Sequence, residues 1–191
     1  MAIKDIIIKT RSIRRFHEDH NIDLKALADV VENVRYSASA ANFQPLKFIL
    51  ISDRKKGAAL FPHLRWAAYL KEWNGPEEGE RPSAYIIMLG DRNLSKYLDM
   101  DCGIALQTIL LSLTDKDLGA CAIATFKKEA VRELFNIPPE LEIPLIIAIG
   151  KPKEEVVIED IKNGDVKYWR DAGGRHHVPK RTLKEMISAK Y

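Results

Sequence analysis

The sequence predicts one domain of mixed helix and strand, α+β or α/β, and three observations carry that prediction. Its 191 residues are the length of a single domain. A hydrophobic fraction of 46% against 30% charged residues describes a globular chain able to bury a core. Helix-spaced apolar patterns and strand-sized apolar runs then follow one another in the order α, α, β, α, β, α, β, α, β.

Residues 1–9, MAIKDIIIK, read as a short amphipathic helix. Asp23 is a plausible N-cap for a second helix, with Leu24, Leu27, Ala28, Val31 and Val34 on one face. Phe48–Ser52 reads as a buried strand, Lys55–Leu70 as a helix, and Tyr85–Leu89 as a strand closed by Gly90 and Asp91. A long helix over Ser95–Asp115 carries apolar residues around nearly its whole circumference, which suits the middle of a protein or an interface. Gly119 is expected to stop it. A short strand Ala120–Thr125, a helix Lys128–Phe135 and a strand Leu145–Gly150 follow. From Lys151 the pattern changes: a charged stretch leads to Tyr168, Trp169, Gly173, Gly174, His176, His177 and a final helix near Thr182–Ala189. That tail is either a flexible end or an arm packed on a second subunit, since exposed Tyr168 and Trp169 would be costly.

Several function classes are excluded at this level. No apolar run approaches the ~18 residues of a membrane span. Lys4, Asp5 and Lys9 around Ile6–Ile8 do not make a secretory signal, and two cysteines, Cys102 and Cys121, cannot make a zinc or disulfide framework, so a reducing cytoplasm is expected. A net charge of +3 gives no concentrated basic face, and no nucleic-acid role is expected. The dinucleotide fingerprint, the phosphate loop, the serine nucleophile elbow and the strong metal motifs are all missing, so no metal is expected. His176 and His177, beside two glycines, read as polar loop residues, and both cysteines read as small core residues.

Three segments could hold an anionic, flat ligand. Lys9–Phe16, KTRSIRRF, has the cations Lys9, Arg11, Arg14 and Arg15 and no acid, and arginine forks with a serine hydroxyl suit phosphate oxygens. Ser37–Phe48, SASAANFQPLKF, combines small residues with the amides of Asn42 and Gln44. Gly119–Phe126, GACAIATF, offers backbone N–H groups and the Thr125 hydroxyl. Singly, each has a plain structural explanation: a solvated basic surface, a turn after a helix, a core strand.

In order, these segments resemble the nitroreductase family of flavoproteins. The likeness rests on RSIRRF at Arg11–Phe16, the Ser39–Pro45 stretch S-x-x-N-x-Q-P, DCGIALQTILLSLTDKDLGACAIATF at Asp101–Phe126, and PKRTLKEMI at Pro179–Ile187. The resemblance implies an α+β nitroreductase-like fold over residues 1–191, a central mostly antiparallel sheet flanked by helices, in an intertwined homodimer with an exchanged C-terminal arm (about 151–191). It implies non-covalent FMN at the dimer interface and NAD(P)H as electron donor. Arg11, Ser12, Ile13 and Arg14 would hold the phosphate and ribityl chain, with Arg14 near the N1–O2 edge. Lys180 or Arg181 would close over the phosphate. Ala38, Ser39, Ala40, Asn42 and Gln44 would come from the other subunit, and Ile123, Ala124 and Thr125 would run beneath the ring. No catalytic side chain is required, because the redox chemistry belongs to the flavin. Two departures bear on the substrate: Leu46 stands where the family usually has tryptophan, and bulky Phe43 lies beside Asn42. Trp66 and Trp73 occur instead in an insert, Leu64–Pro82, where the family varies its substrate cover. The implied activity is ping-pong electron transfer to a nitroaromatic or quinone. A narrow-specificity flavin reductase, a reductive dehalogenase of the same fold and flavin binding without catalysis are the alternatives.

Overall fold

The computed structural model describes residues 2–191. In chain order its elements are α1 (Ile3–Lys9), β1 (Phe16–His17), α2 (Leu24–Arg35), β2 (Leu46–Ile51), α3 (Arg54–Leu60), β3 (Ala84–Gly90), α4 (Leu98–Asp115), β4 (Gly119–Ile123), α5 (Lys128–Phe135), β5 (Glu142–Pro152), β6 (Val156–Asp160), β7 (Trp169–Arg170), β8 (His176–Lys180) and α6 (Leu183–Met186).

The main sheet has the order β1-β5-β3-β2, with β4 also paired to β5, and each of these pairings is antiparallel. The α+β class is therefore the observed one. Period-two alternation in β3 sorts the core into two layers. Tyr85, Ile87 and Leu89 face one layer, with Leu60 of α3, Val131 of α5 and Trp66 of the insert. Ala84, Ile86 and Met88 face the other, with Leu27 and Val30 of α2 and Cys102, Ala105, Ile109 and Leu113 of α4.

Local chemistry sets the element ends. Asp23 caps α2 by accepting from Ala26 N at 2.7 Å, as expected, a contact of about 1 kcal/mol. The helix expected over Lys55–Leu70 ends at Leu60: Pro62 imposes a short 3₁₀ turn, and Leu64 then bridges Phe126. The long helix begins at Leu98 rather than Ser95, whose hydroxyl accepts from Tyr97 N. Gly119 is not its stop. Asp117 takes the left-handed position (φ 56°) with Leu118 N donating back to Leu113 O, and Gly119 opens β4. A Cβ on Gly119 would lie 2.6 Å from Ile13 Cγ1 and 2.9 Å from Pro152 Cγ, so glycine serves close backbone approach.

The segment beyond Lys151 is neither featureless nor loop throughout. A second sheet forms there in the order β6-β8-β7, with β6 and β8 parallel. His176 and His177 are strand residues, and His176 is fully buried. Alternation along β8 separates the two rings, which is why their adjacency does not make them loop residues. Trp169 stays half-exposed and stacks on His177, ring centroids 4.1 Å apart. The final helix is one turn, capped reciprocally by Thr182 and Glu185.

Candidate functional site

The segment Arg11–Arg14 runs beside β4. Ser12 bridges Ala120 in parallel, and Ile13 N donates to Ala120 O at 2.9 Å. Ile13 is buried and pins the segment, whereas Ser12 is exposed next to a strip of small residues, Ala122, Ala124 and Thr125, that is also exposed. Ile123, between them, points into the core. The two sequence segments proposed for phosphate and ring are thus neighbours in space.

The two arginines lie on opposite sides of that segment. Arg11 donates to Ile7 O at 2.8 Å and lines a cavity of about 190 Å³ with Lys9, Ile13, Thr114 and Glu154. Burial lowers its pKa. Arg14 is buried, its Nη1 3.1 Å from His176 Nε2, and its guanidinium sits 4.7 Å from the Tyr168 ring centroid. Burial first, then the charges of Arg14 and Arg170 and the neighbouring His177, push the His176 pKa down to about 4. The neutral ring therefore accepts from Arg14 through Nε2 and carries its proton on Nδ1. Glu154 fixes the backbone here: one carboxylate oxygen accepts from both Arg14 N and Arg15 N, and the other from Arg170 Nη2 at 3.0 Å.

Both arginines keep a buried Nε–H with no acceptor among the described residues. Arg81 and Arg170 keep such Nε–H groups as well, so what marks this place is two guanidinium groups flanking an exposed serine hydroxyl, a set of donors that fits a ligand rich in acceptors, such as a phosphorylated flavin.

The loop Ala38–Gln44 is built elsewhere. Its backbone passes through left-handed conformations at Ala41, Asn42 and Gln44 (φ 48°, 57° and 50°). Buried Asp101 anchors it, accepting from Ser39 Oγ at 3.0 Å and Ala40 N at 2.8 Å. Ala38, Ser39, Asn42, Gln44 and Asp101 line a cavity of about 290 Å³. The loop ends where Pro45 O accepts from Asp91 N, next to the Gly90–Glu142 pairing, whereas Ser12 lies by Ala120, opposite Ile149. Glu142 to Ile149 is seven residues of strand, roughly 23 Å. One chain does not bring this loop to Ser12.

The insert Leu64–Pro82 folds onto the tail sheet. Trp66 is buried, Trp73 meets it edge-on, Tyr69 lies 4.9 Å from Tyr168, and Arg170 sits over Trp73. Lys180, the last residue of β8, and Arg181, just beyond it, are exposed. Lys180 is four strand residues beyond His176, about 13 Å of backbone, and Arg181 pairs with Glu185 at 3.5 Å.

His176, Tyr168, Asp101 and Glu154 are the residues of this arrangement that sequence reasoning missed. A signal existed for Asp101, an acid at helical spacing among Leu98, Cys102, Ala105 and Ile109. For His176 there was none beyond its place in a run of extended-chain residues.

Comparison with known proteins places these features in a wider group. The profile of the nitroreductase family matches residues 7–151. An NADH dehydrogenase of Thermus thermophilus is 27% identical over 180 residues, covering 80% of this chain and 87% of the relative. An iodotyrosine deiodinase of Thermotoga neapolitana is 24% identical over 172 residues, covering 78% and 88%. Among solved structures, an FMN-dependent nitroreductase of Clostridium difficile superposes with a TM-score of 0.64 at 21% identity, covering 83% of this chain and 91% of that one, a likeness of fold.

Proposed function

The chain belongs to the nitroreductase family, and from that premise we propose that it is an FMN-dependent oxidoreductase passing electrons from NAD(P)H to an electron-poor small molecule, a nitroaromatic or a quinone, in two alternating half-reactions. The observation that carries this reading is the exposed Ser12 between Arg11 and Arg14, running beside the exposed small residues Ala122, Ala124 and Thr125 of β4 and its end. When bound, the flavin supplies the chemistry, accepting two electrons and releasing them to the second substrate.

The protein's part is to bind, orient and polarise. Arg11 and Ser12 supply phosphate and ribityl donors. Arg14 brings a fixed positive charge, held in a water-poor setting where it stabilises negative charge more strongly than in bulk water. Ala122 and Ala124 leave room for a flat ring, and the backbone around Ile123–Thr125 with the Thr125 hydroxyl offers polar contacts to its edge. Two copies of the chain complete the site: the roughly 23 Å separation within one chain leaves Ala38, Ser39, Ala40, Asn42 and Gln44 to serve the other copy. Lys180 or Arg181 closes over the phosphate. On α4, Gly103, Gln107 and Met100 remain exposed and supply a face for that pairing. No described helix is long and apolar enough to cross a membrane, and both cysteines are buried free thiols, which accords with a reducing cytoplasm.

Titration of the purified protein with FMN, followed by flavin fluorescence, tests the reading. The wild type quenches it with one FMN per chain, and Arg14→Ala weakens binding by about tenfold or more, the loss of one charged hydrogen-bonding group. Equal affinity in both would remove Arg14 from the site.

A second reading, reductive dehalogenation on the same flavin site, draws support from the ordered insert, whose Trp66 is packed in the core as part of a wall. Turnover of halophenols against nitroaromatics separates the two.

A further inference from the structure

A fully buried histidine on the tail sheet is held against the arginine that the proposed function places at the flavin edge. His176 has no exposed surface, and its only side-chain hydrogen-bond partner among the described residues is Arg14 Nη1, at 3.1 Å. Tyr168 completes the arrangement. Its ring lies 4.7 Å from the Arg14 guanidinium carbon and 5.1 Å from the His176 ring, and its hydroxyl accepts from Tyr69 N of the insert at 3.4 Å. The guanidinium is therefore fixed at one nitrogen and along one face. Its Nε–H is left buried and unpartnered.

Packing alone does not account for this choice of residue. A buried imidazole leaves Nδ1 without a partner among the described residues, a cost that an apolar side chain of similar size avoids. What the imidazole adds is a neutral acceptor. A carboxylate in its place would neutralise Arg14, and an apolar group would leave Nη1 with only its long 3.5 Å contact to Ser12 O. A neutral ring orients the guanidinium and leaves its full charge available.

We propose that His176 and Tyr168, both from the C-terminal tail, are positioning residues that hold Arg14 aimed at the flavin edge. This rests on the reading of Arg14 as a flavin ligand. It gives the tail sheet a role within its own subunit, separate from any contact that Lys180 and Arg181 make, and it ties the substrate-cover insert to the cofactor through Tyr69 and Tyr168.

The test compares wild type, His176→Leu and His176→Gln, measuring FMN dissociation constant, flavin midpoint potential and melting of the FMN-free protein. Glutamine can still accept from Arg14; leucine cannot. Expected are an FMN affinity about tenfold weaker in His176→Leu, equivalent to ~1.4 kcal/mol, a midpoint potential moved to more negative values, and recovery of both in His176→Gln. Wild-type FMN binding with affinity and potential unmoved in folded His176→Leu overturns this proposal and leaves the flavin reading standing, as does a His176→Gln as impaired as the leucine variant. A wild type that does not bind FMN overturns both. Should His176→Leu fail to fold, Tyr168→Leu against Tyr168→Phe decides by the same criteria, because the phenylalanine retains the ring under the guanidinium.

Discussion

Asp101 and Ser39 are joined by a 3.0 Å hydrogen bond in which the serine hydroxyl donates to a buried carboxylate, whose second oxygen accepts from Ala40 N at 2.8 Å. Ser39 Oγ in turn accepts from Gln44 N at 2.9 Å. A helix side chain thus dictates the shape of a loop with three left-handed, non-glycine residues. Such a loop persists only where its surroundings over-determine it.

Asp101→Ala removes both acceptors and leaves Ser39 and Ala40 donors without their partner. The expected cost is about 1–3 kcal/mol of folding stability, read from chemical denaturation. If this loop serves the second copy's flavin, FMN binding weakens as well. Unchanged stability would mean that the loop holds its shape without the carboxylate.

Gly119→Ala tests the approach of the Arg11–Arg14 segment to β4. The new methyl group would meet Ile13 and Pro152 at less than 3 Å, so the segment must move outward. Overpacking of this kind costs about 1–3 kcal/mol, and Ser12 and Arg14 would shift with Ile13. Lower stability together with weaker FMN binding is expected; a stability loss with unaltered FMN affinity would uncouple the segment from the site.

The helices and main strands were legible because their signals are local: a cap at Asp23, helical spacing in α2 and α5, apolar runs in β3 and β5. The Arg11–Arg14 segment stands out in the sequence because cations without acids are conspicuous in a short stretch. What stayed hidden depends on distant partners. The two-residue strands β1 and β7 have no pattern of their own and exist only by pairing with β5 and β8. His176 looks like one of two loop histidines until β8 pairs with β6 and turns it toward Arg14, 162 residues away in sequence. The expected helix over Lys55–Leu70 contains Pro62, where the chain leaves the α-helix for a 3₁₀ turn.

The insert should control acceptor choice more than cofactor binding. Gly75 has φ +121°, and a Cβ there would lie 2.6 Å from Trp66 Cδ1. Gly75→Ala therefore displaces Trp66 and the wall it forms with Trp73. Expected is an altered KM for nitroaromatic and quinone acceptors with FMN affinity within about twofold of wild type, less than 1 kcal/mol. Loss of FMN in this variant would place the insert within the cofactor site.

Acid should destabilise the fold in two stages. His176 faces Arg14, Arg170 and His177, and its pKa is about 4 when folded against 6.5 ordinarily. Between those values the unfolded chain holds a proton that the folded chain does not, so stability falls as pH drops from 6.5 toward 4. Glu80 behaves as a depressed acid. The hydrogen bond from Arg15, at 2.5 Å, is the main cause, with Lys153 adding to it. Its contribution is complete above about 4.5 and is lost as pH falls below that through its folded value. Denaturant midpoints from pH 7 to pH 4 should decline, and His176→Gln should flatten the upper part of that decline. A slope that the substitution leaves intact would show that another group titrates there.

The most direct measurement is size-exclusion chromatography with light scattering and flavin absorbance, run on the protein after incubation with FMN. The expected result is a single peak at twice the chain mass carrying one FMN per chain, whose visible band bleaches when NADH or NADPH is added without oxygen. A monomer that elutes colourless, with the FMN left in the small-molecule volume, would contradict it.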